Sequence, residues 1–213
     1  DETGRSCAGL VYRPVPESPV YAMGCQSENF TQHNMGTISK LDGLQNVTTN
    51  GSISSFVEAL CQKGPMERVK SGGAGNKVML VLEGKATCYI SDRGVSRWDT
   101  CGPEAVINAF GGCLVKLNTI TQDPAAFLAL RPEQRSAKSN SYTYLKGEKN
   151  RDFIAGQAAV TPYNVSDSAK EEFEAWKKSA GKGDKKMATR LDMVKPYANT
   201  AGLVALGPSE MRD

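Results

Sequence analysis

Residues 8–13 and 19–24 alternate or run apolar, with Pro14, Pro16 and Pro19 between them, and predict two strands joined by a loop. The next stretch, 26–47, is polar and weakly patterned, with a short strand expected near 36–40. Helical spacing then begins: Phe56, Val57, Leu60 and Cys61 share one face, Ser55 with Glu58 forms a capping box, and Gly64-Pro65 is the stop. Residues 66–70 read as a short strand that runs into Ser71-Gly72-Gly73-Ala74-Gly75. Residues 76–83 carry the apolar density of a buried helix, with Gly84 in the capping position behind it. Residues 86–91 form a further predicted strand, turned by Asp92-Arg93-Gly94. Pro103 sits where a first helical residue belongs, residues 105–110 continue that helix, and Gly111-Gly112 ends it. Residues 113–117 are one more strand.

Strands alternating with helices predict a layered α/β or α+β domain. Beyond 117 the chain changes character, becoming polar and lysine-rich with few apolar clusters up to 197. Within that stretch Ser168 with Glu171 predicts a helix running to Lys178, and Gly181-Lys-Gly-Asp-Lys-Lys reads as a mobile loop. Thr200-Ala-Gly-Leu-Val-Ala-Leu206 returns to core-like composition and is expected to pack back on the sheet. No internal repeat is present.

The 213 residues, 39% hydrophobic and 23% charged, suit a soluble globular fold with a sizeable core, and no apolar run approaches the roughly 20 residues of a membrane helix. A net charge of +3 is too small to argue for nucleic acid. The late basic run Lys177, Lys178, Lys182, Lys185, Lys186 and Arg190 reads as a solvated face, which outweighs a polyanion patch. Six cysteines without a C-x-x-C pair and a single histidine, His33, argue against structural zinc. Cys61, Cys88, Cys101 and Cys113 lie in apolar patterns and are expected to be buried reduced thiols, which points to an intracellular location. The sequons at Asn29, Asn46, Asn50 and Asn164 are read as chance triplets. The opening at Asp1 soon enters the apolar run Ala8-Gly-Leu-Val-Tyr12, as a chain entering mid-fold would.

Three clusters carry candidate chemistry. Ser71-Gly-Gly-Ala-Gly-Asn-Lys77 joins a strand to a helix; glycines let a ligand approach the backbone, the helix start offers free N–H groups to an anion, and Lys77 adds a charge. Alone, such a turn is more often structural. In Arg97-Trp98-Asp99-Thr100-Cys101, Asp99 has two readings: a helix cap, or a carboxylate for a hard cation such as Mg²⁺. Trp98 reads as a packing residue. Gly84-Lys-Ala86 and Tyr89 read as structural.

Gly72-Gly-Ala-Gly-Asn-Lys77, Glu83-Gly-Lys-Ala86, Tyr89, Trp98-Asp-Thr-Cys101, Pro103-Glu-Ala105 and Gly111-Gly112 follow one order at tight spacing. The string resembles the C-terminal half of the 3′(2′),5′-bisphosphate nucleotidases of the inositol monophosphatase superfamily. The wider superfamily shares the Trp-Asp element and the later Gly-Gly. The Cys after Trp-Asp-Thr and the Pro-Glu pair narrow the likeness to the nucleotidase and inositol polyphosphate 1-phosphatase branch. Ala8-Gly-Leu-Val resembles the strand after the principal metal motif, and Thr200-Ala-Gly-Leu-Val the closing segment. The resemblance covers 8–117 and 198–207, which divides the chain into a phosphatase lobe of 1–117 with 198–213 and an insertion of 118–197.

The resemblance implies a layered α-β-α-β-α sugar-phosphatase-like fold, present here as a C-terminal lobe with an incomplete N-terminal half. It makes Asp99 a metal ligand, has Gly73 and Lys77 contact substrate, and names Mg²⁺ as cofactor. The family's catalytic glutamate and D-P-[IL]-D-G-T motif have no counterpart in this sequence, so the partner expected is an N-terminal half on the same or another chain. The isolated 213 residues are therefore expected to be inactive. Val47-Thr-Thr-Asn-Gly-Ser-Ile-Ser54 matches the family's Thr-Thr-Thr-Arg-Ser-His-Ser and puts Ile53 at the substrate-touching histidine. Isoleucine donates no hydrogen bond, which weakens the expectation of a nucleotide substrate. His33 is too distant in sequence to replace it. Three functions follow: a lobe of an adenosine 3′,5′-bisphosphate phosphatase, a non-catalytic subunit or scaffold, and an inositol polyphosphate 1-phosphatase-like activity.

Overall fold

The computed structural model describes residues 2–14, 17–36, 45–51, 53, 55–64, 66–91, 95–145, 199 and 202–208. A first, antiparallel sheet holds β1 (Ala8–Arg13), β2 (Val20–Cys25) and β3 (Phe30–His33) in that order, with Leu10 opposite Met23 and Cys25 opposite Phe30. A second sheet has the order β5-β4-β6-β8-β7, built from β4 (Gln45–Thr49), β5 (Met66–Lys70), β6 (Cys88–Ser91), β7 (Cys113–Lys116) and β8 (Leu203–Leu206). Within it β4 runs parallel to β5 and β6, and β8 runs antiparallel to β6 and β7. The helices are α1 (Ser55–Lys63), α2 (Ala74–Leu82), α3 (Arg97–Ala109), α4 (Leu117–Gln122), α5 (Pro124–Ala129) and α6 (Pro132–Arg135).

Two cores set the layering. One joins Val11 and Ala22 of the first sheet to Val78, Met79 and Leu82 of α2, Val106 and Ile107 of α3, and Tyr89, Leu114 and Leu203 of the second sheet. The other lies on the far face of the second sheet, where Val47, Ile90, Val115 and Val204 meet Val57 of α1, Leu117 of α4 and Phe127 of α5. Alternate residues of each strand serve opposite faces, so Ile90 and Tyr89 enter different cores. α2 is covered from both sides, which is why its apolar residues are not confined to one stripe. The chain adopts the α/β class expected from its sequence, and the described residues stack as β-α-β-α. Leu10 and Tyr12, on the outer face of the first sheet, are more than half exposed.

The first sheet approaches α3 through glycine. A Cβ on Gly9 would lie 2.2 Å from the Gly102 carbonyl oxygen and 3.1 Å from the Ala105 Cβ, so no side chain fits without moving backbone. Gly24, the register partner of Gly9, faces Ala109 in the same way.

Several expectations are corrected. α3 starts at Arg97, six residues ahead of Pro103, because Ser96 and Asp99 form a capping box and Pro103 falls inside the helix. A proline there forgoes the bond to the Asp99 carbonyl, and the capped first turn and packing of α3 carry the helix past it. β3 and β4 arise from the stretch that looked weakly patterned; Thr48 and Thr49 of β4 are buried hydroxyls, not the apolar residues that mark a central strand. All six cysteines are free thiols, but only Cys113 is buried, while Cys61, Cys88 and Cys101 are half-buried at the core margins. Trp98 is 77% exposed, so it does not pack in the core.

β8 returns to the second sheet between β6 and β7, as its composition suggested. Of the stretch read as an insertion, residues 118–145 form most of α4 and all of α5 and α6, and place Phe127 and Tyr142 in the two cores. The helix expected from Ser168, the loop from Gly181, the turn at Asp92 and all but the first residue of the strand at 36–40 lie outside the described residues. Among the described residues no helix is long and apolar enough to cross a membrane.

Candidate functional site

The parallel strands mark the switch point at which open α/β sheets form a crevice. β4 lies between β5 and β6; its connection to β5 passes through α1 on one face, and the connection from β5 to β6 passes through α2 on the other. Ligands of open α/β sheets bind where successive connections part in this way, at the carboxyl ends of the strands. Gathered there are Thr48 and Thr49 at the end of β4 with Asn50 behind them, Ser71, Gly72 and Gly73 after β5, and Ser91 at the end of β6.

Gly73 begins α2 as its N-cap with φ 69°, a conformation that favours glycine, and no side chain caps the helix start. A Cβ on Gly72 would meet nothing within 4 Å, so the backbone there is open to a ligand. The turn is braced from within: Asn76 Nδ2 donates to Ser71 Oγ at 2.7 Å, and Asn76 Oδ1 accepts from Arg13 Nη1 at 3.2 Å. Arg13 also pairs with Glu83 at the far end of α2, which ties the helix to β1 at two points.

Lys77 is only 2% exposed, its Nζ donating to the Gly73 carbonyl at 3.3 Å and lying 5.1 Å from the centre of the Tyr89 ring. Burial lowers its pKa to about 8, and the negative charge of Asp99 opposes that fall. Burial also pushes the Tyr89 hydroxyl well above its ordinary range; Ser91 opposes this and Asp99 adds to it. Asp99 thus acts electrostatically on residues of α2 and β6.

Asp99 is half-buried in the first turn of α3, and its Oδ2 accepts from the Ser96 backbone N–H at 2.8 Å. The capping role is therefore realised in the geometry. It engages one carboxylate oxygen and leaves Oδ1 outside that bond. Among the described residues no three His, Cys, Asp or Glu side chains converge as a cation site. Magnesium demands six oxygens in near-octahedral array, so these residues alone do not fit it; Asp99 suits one position of a larger set.

Three features were not identified from the sequence. The hydroxyl of Thr48, fully buried beside its register partner Tyr89, has no hydrogen-bond partner among the described residues. Arg68 on β5 clamps the loop after β4, its Nε donating to Thr49 Oγ1 at 2.7 Å and its Nη2 to the carbonyls of Asn50 and Gly51. Asn50 Nδ2 in turn reaches Ser91 Oγ at 2.9 Å, linking the ends of β4 and β6. A Thr-Thr-Asn run closing a strand was the available signal for the first; Arg68 had none, because its partners lie 17 to 19 residues away.

Ile53 packs against the core formed with α1, α4 and α5. His33 sits on β3 with its ring against Phe110, the C-cap of α3. At about 1.5 Å per residue that is roughly 16 Å along α3 from Asp99, too far to replace a missing histidine.

Comparison with known proteins bears on the same residues. The profile of the inositol monophosphatase family matches residues 2–149. The chain is 32% identical to the 3'(2'),5'-bisphosphate nucleotidase 1 of Rattus norvegicus over 114 residues, which is 52% of this chain and 34% of that protein. It is 36% identical to the Homo sapiens protein of the same name over 75 residues, 34% of this chain and 24% of that one. It therefore spans about a third or less of the length of these relatives. Among solved structures, CysQ from Bacteroides thetaiotaomicron, a bacterial member of the inositol monophosphatase family, aligns with a TM-score of 0.42 at 19% identity over 54% of this chain and 51% of its own. With the family profile covering well over half of its residues, the chain belongs to the inositol monophosphatase family.

Proposed function

We propose that the chain is the C-terminal lobe of a magnesium-dependent phosphomonoesterase that removes the 3′-phosphate of adenosine 3′,5′-bisphosphate or 3′-phosphoadenosine 5′-phosphosulfate when an N-terminal half completes it. The carrying observation is that Asp99 acts electrostatically on buried Lys77 at the open, uncapped start of α2. So read, a cation-seeking carboxylate and an anion-seeking ammonium serve the same crevice. In this reading Gly72 and Gly73 admit a phosphate oxygen to the N–H groups of α2, Lys77 adds its charge, and the Thr48 hydroxyl offers one more donor. Asp99 favours the protonated form of Lys77 against the effect of burial, and is one ligand of a magnesium site whose other carboxylates come from the N-terminal half. The relatives named as bisphosphate nucleotidases support the substrate class.

The position of Ile53 favours a second reading. It packs on the helical side of the second sheet and brings no hydrogen-bonding group to the crevice, as suits an inositol polyphosphate in place of a nucleotide. The third reading is a non-catalytic scaffold, in which Asp99 serves only as the cap of α3. Phosphate release from adenosine 3′,5′-bisphosphate and inositol 1,4-bisphosphate, with and without Mg²⁺, separates the three. The first reading predicts magnesium-dependent turnover of the nucleotide by the completed protein and none by these 213 residues alone. Preference for the inositol phosphate supports the second, and no release from either supports the scaffold.

Lys77 gives this reading a pH signature. With its pKa lowered to about 8, Lys77 is charged below that value and neutral above it. Affinity of the completed protein for the nucleotide should fall about tenfold between pH 7 and pH 9. Calorimetric titration at the two values checks it, and Lys77→Met should bind weakly at both, without that step.

A further inference from the structure

Away from the crevice, α3 buries a carboxyl. Glu104 is 4% exposed, one turn beyond Thr100, and meets the hydroxyl of Tyr144, the hydroxyl of Ser141 and the side chain of Asn108. The charged and titratable groups facing it are Arg5 from the N-terminal segment, Cys113 from β7 and Tyr144, with Cys101 of α3 beside Tyr144.

The hydroxyl protons of this cluster can be counted. Ser141 Oγ donates to the Leu114 carbonyl at 3.0 Å, and Thr100 Oγ1 donates to the Arg97 carbonyl at 3.2 Å; a carbonyl only accepts, so both directions are forced. Thr100 Oγ1 also accepts from Asn199 Nδ2 at 3.2 Å. Tyr144 then has one proton and two oxygens within reach, Thr100 Oγ1 at 3.2 Å and a carboxyl oxygen of Glu104. With Glu104 ionised, one of these buried oxygen pairs lacks a proton. With Glu104 protonated every contact along the path from Glu104 to Arg97 is served: Glu104 donates to Tyr144, Tyr144 to Thr100, and Thr100 to Arg97.

We propose that Glu104 stays protonated in the folded chain up to the approach of neutral pH and acts as a positioning residue, heading a relay of donors through Tyr144 and Thr100 into the first turn of α3. The direction of its titration agrees. Burial raises its pKa to about 7, against the opposing pull of Tyr144, Ser141, Arg5 and Asn108. The segment so attached is anchored elsewhere as well, the Tyr142 hydroxyl donating to the Gly202 carbonyl at 2.9 Å and the Tyr144 N–H to the Gly4 carbonyl at 2.9 Å. Glu104 thereby ties residues 141–145 to the turn that carries Asp99. Ionisation turns the Tyr144 O–H to donate to the Glu104 carboxylate and leaves Thr100 one proton for two acceptors, so the first turn of α3 loses a bond as pH rises. This goes beyond the proposed phosphatase and stands whether or not Asp99 binds a cation.

The test is the titration of Glu104 in the folded full-length chain, followed by carbon-13 resonance of its carboxyl and assigned by its absence in Glu104→Gln. A midpoint near 7 is expected; a midpoint at the ordinary glutamate value of about 4.3 overturns the proposal. Denaturant unfolding provides a second reading. A carboxyl whose folded pKa is raised contributes stability that is present below its unfolded pKa and lost as pH rises through the folded one. From about pH 5 to about pH 8.5 the folding constant of the native chain should fall on the order of 100-fold relative to Glu104→Gln, whose amide can donate to Tyr144 at any pH. A ratio that stays constant over that range overturns the proposal, and if Glu104→Gln does not fold, the midpoint decides it, with the resonance assigned from a Tyr144→Phe comparison.

Discussion

Asp99→Asn should lower kcat of the completed phosphatase by about a thousandfold, a loss of about 4 kcal/mol in transition-state stabilisation, while leaving the fold intact. The substitution separates the two roles of this residue. Asparagine still accepts from the Ser96 N–H, so the box that starts α3 survives. The negative charge does not, and with it go the proposed cation ligand and the field that favours protonated Lys77. Circular dichroism and denaturant midpoints should therefore differ from the native protein by no more than about 0.5 kcal/mol. A variant that keeps its activity would make Asp99 a cap alone. A variant that unfolds would show the charge to be structural.

Gly9→Ala should be the most damaging single change to the fold, at about 3 kcal/mol or more, lowering Tm by about 10 °C in a chain of this size. The added methyl would sit 2.2 Å from the Gly102 carbonyl oxygen, and backbone cannot yield as a flexible side chain does. Gly24 lies across from Gly9 against the same helix, so the strain cannot be relieved by sliding β1 towards β2. Because α3 carries Asp99, the shift should also reduce the activity of whatever fraction remains folded. Thermal unfolding followed by fluorescence checks the prediction; a Tm within 2 °C of the native value would show that β1 does not pack on α3 at this distance.

These two residues differ in how far the sequence announced them. Asp99, Gly73 and Lys77 stand in short strings whose order and spacing carry their resemblance, so the candidate site was legible before its geometry was known. Gly9 showed only a small residue in an apolar strand; its purpose depends on Gly102, far along the chain. The same division runs through the fold. β7 and β8 are marked by apolar runs and β5 by the turn residues that bound it; the structure forms β5 and β7 as the expected strands and β8 within the segment expected to pack back on the sheet. β4 escaped notice because two of its buried residues, Thr48 and Thr49, are polar and are held by partners from β5 and β6 rather than by local pattern.

The start of α3 illustrates competition between signals. Proline is favoured at a first helical position, which made Pro103 the natural beginning. Ser96 and Asp99 form a capping box two turns earlier and prevail, since the lost bond at Pro103 is one among many in a helix of 13 residues packed against both sheets. Trp98 misled for a related reason. Large aromatics are usually core residues, but on this first turn Thr100 faces inward to Tyr144 and Asn199 while Trp98 points to solvent. The Glu104 cluster was invisible to sequence reading because its members are separated by up to 40 residues or more and only the fold counts their protons.

On the proposed reading Asp99 and Lys77 serve one pocket in which a divalent cation and a phosphate ester meet. Phosphate release from adenosine 3′,5′-bisphosphate by the completed protein, measured as a function of Mg²⁺ concentration for the native sequence and for Asp99→Asn, tests it most directly. The expected result is a saturable magnesium dependence whose midpoint moves at least tenfold higher in the variant. Superimposable magnesium curves for the two proteins would contradict it.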